Sequence, residues 1–156
     1  MLAQSDQQEP RQRVDALVQR WLQHRQSLIV MMMSLSDEKR RALDPTPLSE
    51  RVQSFCEDLM DYVSAGHFEI YDELLAEAES RASRHIAEGQ ALLQRLQSTT
   101  DAVIRFNDIY EDPEDQDELA HLSHELSALG LALESRFEIE DRMIALLHER
   151  AGTTTV

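Results

Sequence analysis

The chain has 156 residues, 30 Asp and Glu against 15 Lys and Arg, and a formal net charge of -15. Its length suits one domain, its 42% hydrophobic content excludes wholesale disorder, and its 4 Gly and 4 Pro are too few for the turns of a β-sandwich or barrel. The acid excess argues against a nucleic-acid binder, which needs a basic footprint to displace counterions, and against an anionic membrane surface; it leaves solubility or a basic partner as its use.

Residues 1–9 are polar, lack the apolar stretch of a signal peptide and are expected to form a flexible tail. Pro10 suits the first turn of a helix. Val14, Leu17, Val18, Trp21, Leu22, Leu28, Ile29 and Met32 then follow a 3.6-residue period and mark one buried face, which Arg25 interrupts. The run Leu28–Met33 is far shorter than the ~18 apolar residues of a membrane span. Ser34–Glu50, which contains Lys39, Arg40 and Arg41, reads as a connection ending in Thr46-Pro47, an N-cap followed by proline at the first helical position.

The second helix carries Val52, Phe55, Cys56, Leu59, Tyr62 and Val63 and should end near Ser64-Ala65-Gly66. A single cysteine cannot form an internal disulfide and fits a reducing cytoplasm; on an apolar stripe, Cys56 is expected to be buried and inert. A third helical segment follows at once with Phe68, Tyr71, Leu74, Leu75 and Ala78. From about Ser80 the stripe runs through Ile86, Gly89, Leu93, Leu96, Val103 and Tyr110, with Thr100 and Asn107 also on it, up to a break at Asp112-Pro113-Glu114-Asp115. Leu119, Leu122, Leu126, Leu129, Leu133, Phe137, Ile144 and Leu147 predict a final helix of about 35 residues, in which Gly130 is expected to permit close helix contact; residues 151–156 form a flexible end. The sum is an all-α fold, an antiparallel bundle of four long helical units forming one domain over residues 10–150.

Few side chains suggest chemistry. Glu118 and His121 give one Glu-x-x-His, whereas a di-iron bundle site needs two. His121 and His124 are a helical pair read as a solvated face; together with a polar central layer or cavity they carry the alternative reading of a metal- or small-ligand-binding bundle. His148 is expected to complement a helix dipole. Asp61, Ser64 and His67 have the residue types of a catalytic triad, but local proximity does not supply its geometry, and no G-x-S-x-G or phosphate-cradling loop is present. The reading is therefore no enzyme, no cofactor and no metal. More informative are polar residues on or beside apolar stripes: Arg25, Asn107, Arg136, Glu140 and Asp141, with Asp61 and Ser64 flanking Tyr62 and Val63. They imply a polar layer or cavity, with a register-fixing network and a partner-facing cleft both open as its purpose.

Three segments in this order, Arg20-Trp-Leu-Gln-His-Arg25, Asp58-Leu-Met-Asp-Tyr-Val-Ser-Ala-Gly-His-Phe-Glu-Ile-Tyr-Asp-Glu73 and Leu133-Glu-Ser-Arg-Phe-Glu-Ile-Glu-Asp141, resemble the Rsd/AlgQ family of anti-sigma factors. The resemblance covers residues 10–150, with helical character alone over Ser34–Glu50 and Ser80–Glu118. It implies helices around a polar central cavity and a cytoplasmic regulator that binds region 4 of the primary sigma factor, a basic helix-turn-helix. Binding there would block its contacts with the promoter -35 element and core polymerase in stationary phase. A phosphocarrier protein of the sugar phosphotransferase system is a further partner that the resemblance brings in. It also implies Asp61, Ser64 and Phe68, with Glu69 and Asp72, at the sigma interface; Arg25, His67, Tyr71, Glu134, Arg136, Glu140 and Asp141 in a cavity network, with direct sigma contact open for the charged ones; and Trp21 and Phe137 in the core.

Overall fold

The computed structural model describes residues 2–65, 69–111 and 120–148. Among them are six helices and no strand: α1 (Leu2–Ser36), α2 (Glu38–Leu43), α3 (Leu48–Ala65), α4 (Tyr71–Ser80), α5 (Ile86–Tyr110) and α6 (Leu122–Leu147). None of these is long and apolar enough to cross a membrane.

The apolar stripes face one another and fix the order of the bundle. α1 packs on α3, α3 on α5, α5 on α6 and α6 back on α1, while α4 lies against α1, α5 and α6. The long neighbours run antiparallel, which the cross-helix pairs make visible. On α1 and α3, Trp21 meets Tyr62 and His24 meets Asp58. On α1 and α6, Asp15 meets His148, just past the helix end, and Arg25 meets Asp141. On α5 and α6, Thr99 meets Arg136 and Arg105 approaches Glu125. Numbers rise on one helix as they fall on the other. The core is continuous from Val14, Trp21 and Leu28 on α1 through Phe55, Leu59 and Tyr62 on α3 and Leu74 on α4 to Val103 and Phe106 on α5 and Leu133 and Met143 on α6. Burying each large apolar side chain contributes ~1.5–3 kcal/mol.

Several boundaries differ from the sequence reading. α1 begins at Leu2, so residues 2–9, expected as a tail, continue the helix, and Pro10 lies inside it without the N–H that would bond one turn back. Glu38–Leu43, inside the expected connection, forms a turn and a half of helix. α3 starts one residue late, because the carbonyl of Pro47 rather than Thr46 accepts the first helical bond, from Arg51 N at 3.2 Å. α6 has 26 residues instead of about 35. Gly66, the predicted break at 112–115, Leu119 and residues 151–156 lie outside the described residues.

The largest difference is a chain reversal at 81–85, where the sequence read straight through. No Gly or Pro announces it. Ala82 takes a left-handed φ of 52°; its N–H bonds to the Glu79 carbonyl at 3.0 Å, and Ser83 N–H reaches the Ala78 carbonyl at 2.9 Å. This pair of bonds closes the end of α4 as a Schellman motif, with alanine where glycine is usual.

The two helical glycines also exchange roles. A Cβ at Gly130 would meet only the Met32 Cε at 4.0 Å, so no close contact depends on that glycine. At Gly89 a Cβ would lie 2.7 Å and 2.8 Å from the methyl carbons of Leu147, a fully buried side chain. Gly89 is what lets α5 close on the end of α6. Opposite effects of the same substitution follow: Gly130→Ala should stabilise the fold by about 1 kcal/mol, whereas Gly89→Ala should destabilise it by about 1–3 kcal/mol. Urea unfolding of the two variants checks both signs.

Candidate functional site

The polar residues that interrupt the stripes of α1 and α6 meet in one buried layer. Its centre is the Glu140 carboxylate on α6, which is 0% exposed. Oε1 accepts from the Tyr62 hydroxyl of α3 at 2.6 Å and from Arg25 Nη2 of α1 at 3.2 Å. Oε2 accepts from the Tyr71 hydroxyl of α4 at 2.7 Å and from Arg136 Nε, one turn back on α6, at 3.1 Å. Four donors from four helices thus converge on two oxygens, which is the satisfaction a buried charge requires.

The two arginines extend the layer in opposite directions. Arg136, 1% exposed, donates through Nη1 to the hydroxyls of Thr99 at 3.1 Å and Thr100 at 2.8 Å, and through Nη2 to Tyr71 at 3.2 Å. Both threonine hydroxyls donate in turn to the Leu96 carbonyl, so their lone pairs are left for the guanidinium. Arg25 donates through Nε to the Tyr62 hydroxyl at 3.0 Å and through Nη1 to the exposed Asp141 at 2.6 Å. Its guanidinium lies 4.7 Å from the centroid of Phe137 and 5.6 Å from that of Trp21, within cation–π range. Trp21 itself stacks on Tyr62 at 5.3 Å and meets Tyr71 edge-on at 5.7 Å. With two guanidinium groups, Glu140 and Asp141, the charges cancel. Of the polar layer or cavity that the sequence suggested, these groups form a hydrogen-bonded layer that reaches the surface at Asp141.

Burial, and then the negative charge of Glu140, pushes the hydroxyls of Tyr62 and Tyr71 well above the ordinary phenol range. They therefore act as neutral donors to the carboxylate. Burial likewise pushes the Cys56 thiol up to about 12, helped by Glu111 and Glu57. The thiol is buried and inert, as its place on the stripe suggested.

A second buried cluster lies where α6 ends. His148 Nδ1 is 2.6 Å from Glu77 of α4, and Nε2 is 2.6 Å from Asp15 of α1. Arg81, just after α4, approaches Glu77 at 3.5 Å and donates to the Leu147 carbonyl. His148 therefore pins three elements together, beyond the helix-end role expected of it.

The expected site residues divide into two sets. Arg25, Tyr71, Arg136, Glu140 and Asp141 join the buried layer, with Trp21 buried and Phe137 half-buried against it. Phe137 also meets the Tyr62 ring edge-on at 5.9 Å. Glu134 does not join the layer; it is exposed on the outer side of α6. Asn107, read as a stripe position, is half-buried and donates to the exposed Glu111 at 3.2 Å instead of entering the layer. His67, Phe68 and Glu118 lie outside the described residues.

The second set is on the surface. Asp61, Ser64, Glu69 and Asp72 are all exposed around the α3–α4 junction. Their acidic neighbours are engaged: His24 meets Asp58 at 2.9 Å and Arg13 meets Glu73 at 3.0 Å. No such ion pair is formed by Asp61, Glu69 or Asp72 among the described residues. His121 and His124 are exposed and join neither set, and among the described residues no three His, Cys, Asp or Glu side chains converge as a metal site would require. Sequence reasoning passed over Tyr62, Thr99, Glu77 and Asp15. Tyr62 carried a usable signal, a hydroxyl on an otherwise apolar stripe opposite a misplaced arginine.

The sequence pattern of the family "Regulator of RNA polymerase sigma(70) subunit, Rsd/AlgQ" matches residues 1–148. A protein of Yersinia enterocolitica named Regulator of sigma D is 34% identical over 130 residues, 82% of this chain and 78% of that one. A Pectobacterium carotovorum protein of the same name is 34% identical over 137 residues, 86% of this chain and 90% of that one. No solved structure matches.

Removing the acceptor at the centre of the layer should be costly. Glu140→Gln leaves the buried Arg136 guanidinium without a carboxylate and Arg25 with Asp141 alone, and should destabilise the fold by roughly 3–5 kcal/mol; a loss under about 1 kcal/mol in urea unfolding would show that the layer is not a keystone. The raised values also set an alkaline limit. Folded Cys56, Tyr62 and Tyr71 keep protons that the unfolded chain releases, so stability is complete at lower pH and falls as pH rises. The fall should begin at about pH 9 through Cys56 and steepen above about pH 10 through the tyrosines. Urea midpoints measured across that range check the sign.

Proposed function

The chain belongs to the Rsd/AlgQ family of RNA polymerase sigma(70) regulators, and from that premise we propose that it binds region 4 of the primary sigma factor through the surface at the α3–α4 junction. The family is one of regulators rather than enzymes. The observation that carries the reading is the exposure of Asp61, Ser64, Glu69 and Asp72 at that junction, while their neighbours Tyr62, Val63, Ile70 and Tyr71 are buried.

The physical logic is competition. Region 4, as a basic helix-turn-helix, is built to meet promoter phosphates and core polymerase. An acidic surface whose carboxylates form no ion pair among the described residues offers it a rival partner, and the net charge of -15 steers the encounter. The buried layer serves this surface by holding α3 and α4 in place: Tyr62 lies beside Asp61, Tyr71 beside Asp72, and both hydroxyls end on Glu140. Occupancy of region 4 would keep the sigma factor from the -35 element and from core polymerase, in the cytoplasm and in stationary phase.

Binding of the purified chain to the primary sigma factor at low salt tests this directly, and absence of a complex at micromolar concentrations would overturn it. Asp61→Arg should weaken the complex by about tenfold or more while leaving the helical circular dichroism unchanged. Unaltered affinity would remove Asp61 from the interface.

A further inference from the structure

A groove between α3 and α5, with a volume of about 350 Å³, opens directly beside Asp61. Its lining is Gln53, Cys56, Glu57, Met60 and Asp61 from α3 and Asn107 and Glu111 from α5 and its end. Cys56 is buried and Met60 half-buried, so the floor is apolar. Glu57 and Asp61 form one wall and Glu111 stands on the other, all three exposed. Among the described residues no lining side chain is basic, and none of these three carboxylates has an ion-pair partner.

Helical geometry joins this groove to the surface already described. Glu57, Asp61 and Ser64 are spaced i, i+4, i+7 and share one stripe of α3. That stripe is the outer face of α3, between the Cys56 and Met60 side that meets α5 and the Asp58 side that bonds His24 of α1, and its Glu57 and Asp61 reach the groove. Asp61 therefore stands at one end of the α3–α5 groove, with Ser64 one turn further along α3.

Resting on the sigma-binding reading, we propose that the sigma factor's footprint continues from Asp61 into the α3–α5 groove. There a basic amphipathic helix of the partner sets an apolar side chain over Cys56 and Met60 and pairs Arg or Lys side chains with Glu57, Asp61 and Glu111. Charge complementarity selects this occupant. A second copy of the chain, at -15, would bring more acid to three carboxylates that form no ion pair among the described residues. The Cys56 thiol reports the same field from below: burial raises it first, and Glu111 and Glu57 both add to the shift.

The test compares two charge reversals in the full-length chain, measured by equilibrium binding to the full-length primary sigma factor. Glu111→Arg faces the groove; Asp101→Arg makes the same change beside Gln97, in the groove between α5 and α6. Glu111→Arg should weaken binding about tenfold and Asp101→Arg by less than about twofold. Glu57→Arg, which enters the groove from α3, should repeat the Glu111→Arg loss and stands in for it if that variant unfolds. If Glu111→Arg and Glu57→Arg bind like the parent while Asp61→Arg does not, the groove is wrong and the α3–α4 surface stands. If Asp101→Arg weakens binding as much as Glu111→Arg, the effect is general charge and the groove is again wrong. If the parent chain fails to bind the sigma factor, the functional reading fails and takes the groove with it.

Discussion

Everything else in this bundle is arranged around one carboxylate that water cannot reach. Glu140 is stable inside only because α1, α3, α4 and α6 each deliver a donor to it. Apolar side chains can slide past one another at modest cost, but four hydrogen bonds to two oxygens admit one register. The layer contributes less to net stability than to uniqueness: an apolar replacement of the whole set could match its energy, yet would not fix where α3 and α4 sit relative to α1 and α6.

That division of labour organises the charges of the segment from Asp58 to Glu73. The hydroxyls of Tyr62 and Tyr71 point inward and are locked, while Asp61, Glu69 and Asp72 are exposed and form no ion pair among the described residues. Part of the acidic excess is consumed in pairs such as Asp58 with His24 and Glu73 with Arg13, and part, Asp61, Glu69 and Asp72 included, is presented to solvent.

The helical class and the buried stripes were legible because apolar periodicity is a local signal. Arg25 and Glu140 were legible as misfits for the same reason, since a charge on a stripe demands a partner. Which misfits meet is a long-range fact that no local pattern carries. Asn107 looks like Arg25 on a wheel yet stays outside the layer, because its side of α5 borders the edge of the groove and not the centre. Glu134 lies beside layer residues in sequence but on the outer side of α6. The reversal at Ala82 was invisible because its sequence contains no Gly, Pro, Asn or Asp, only Ser83, whose hydroxyl accepts from His85 N–H; tertiary packing imposes a left-handed alanine there. His148 showed only its helix-end role because both of its partners lie far away in the chain, at Asp15 and Glu77.

The last of these helices has an outsized share of the interior chemistry. α6 supplies Glu140 and Arg136 to one cluster, and His148 follows directly to anchor the other. During synthesis, α1 to α5 emerge before any of these groups. Until α6 arrives, the helices preceding it hold Arg25, Tyr62, Tyr71 and Thr99 without the carboxylate and guanidinium on which they converge, so they can collapse but cannot select their final register. The order of the chain thus makes assembly of the bundle a late, single event, in which one incoming helix converts a loose set of amphipathic segments into a fixed structure.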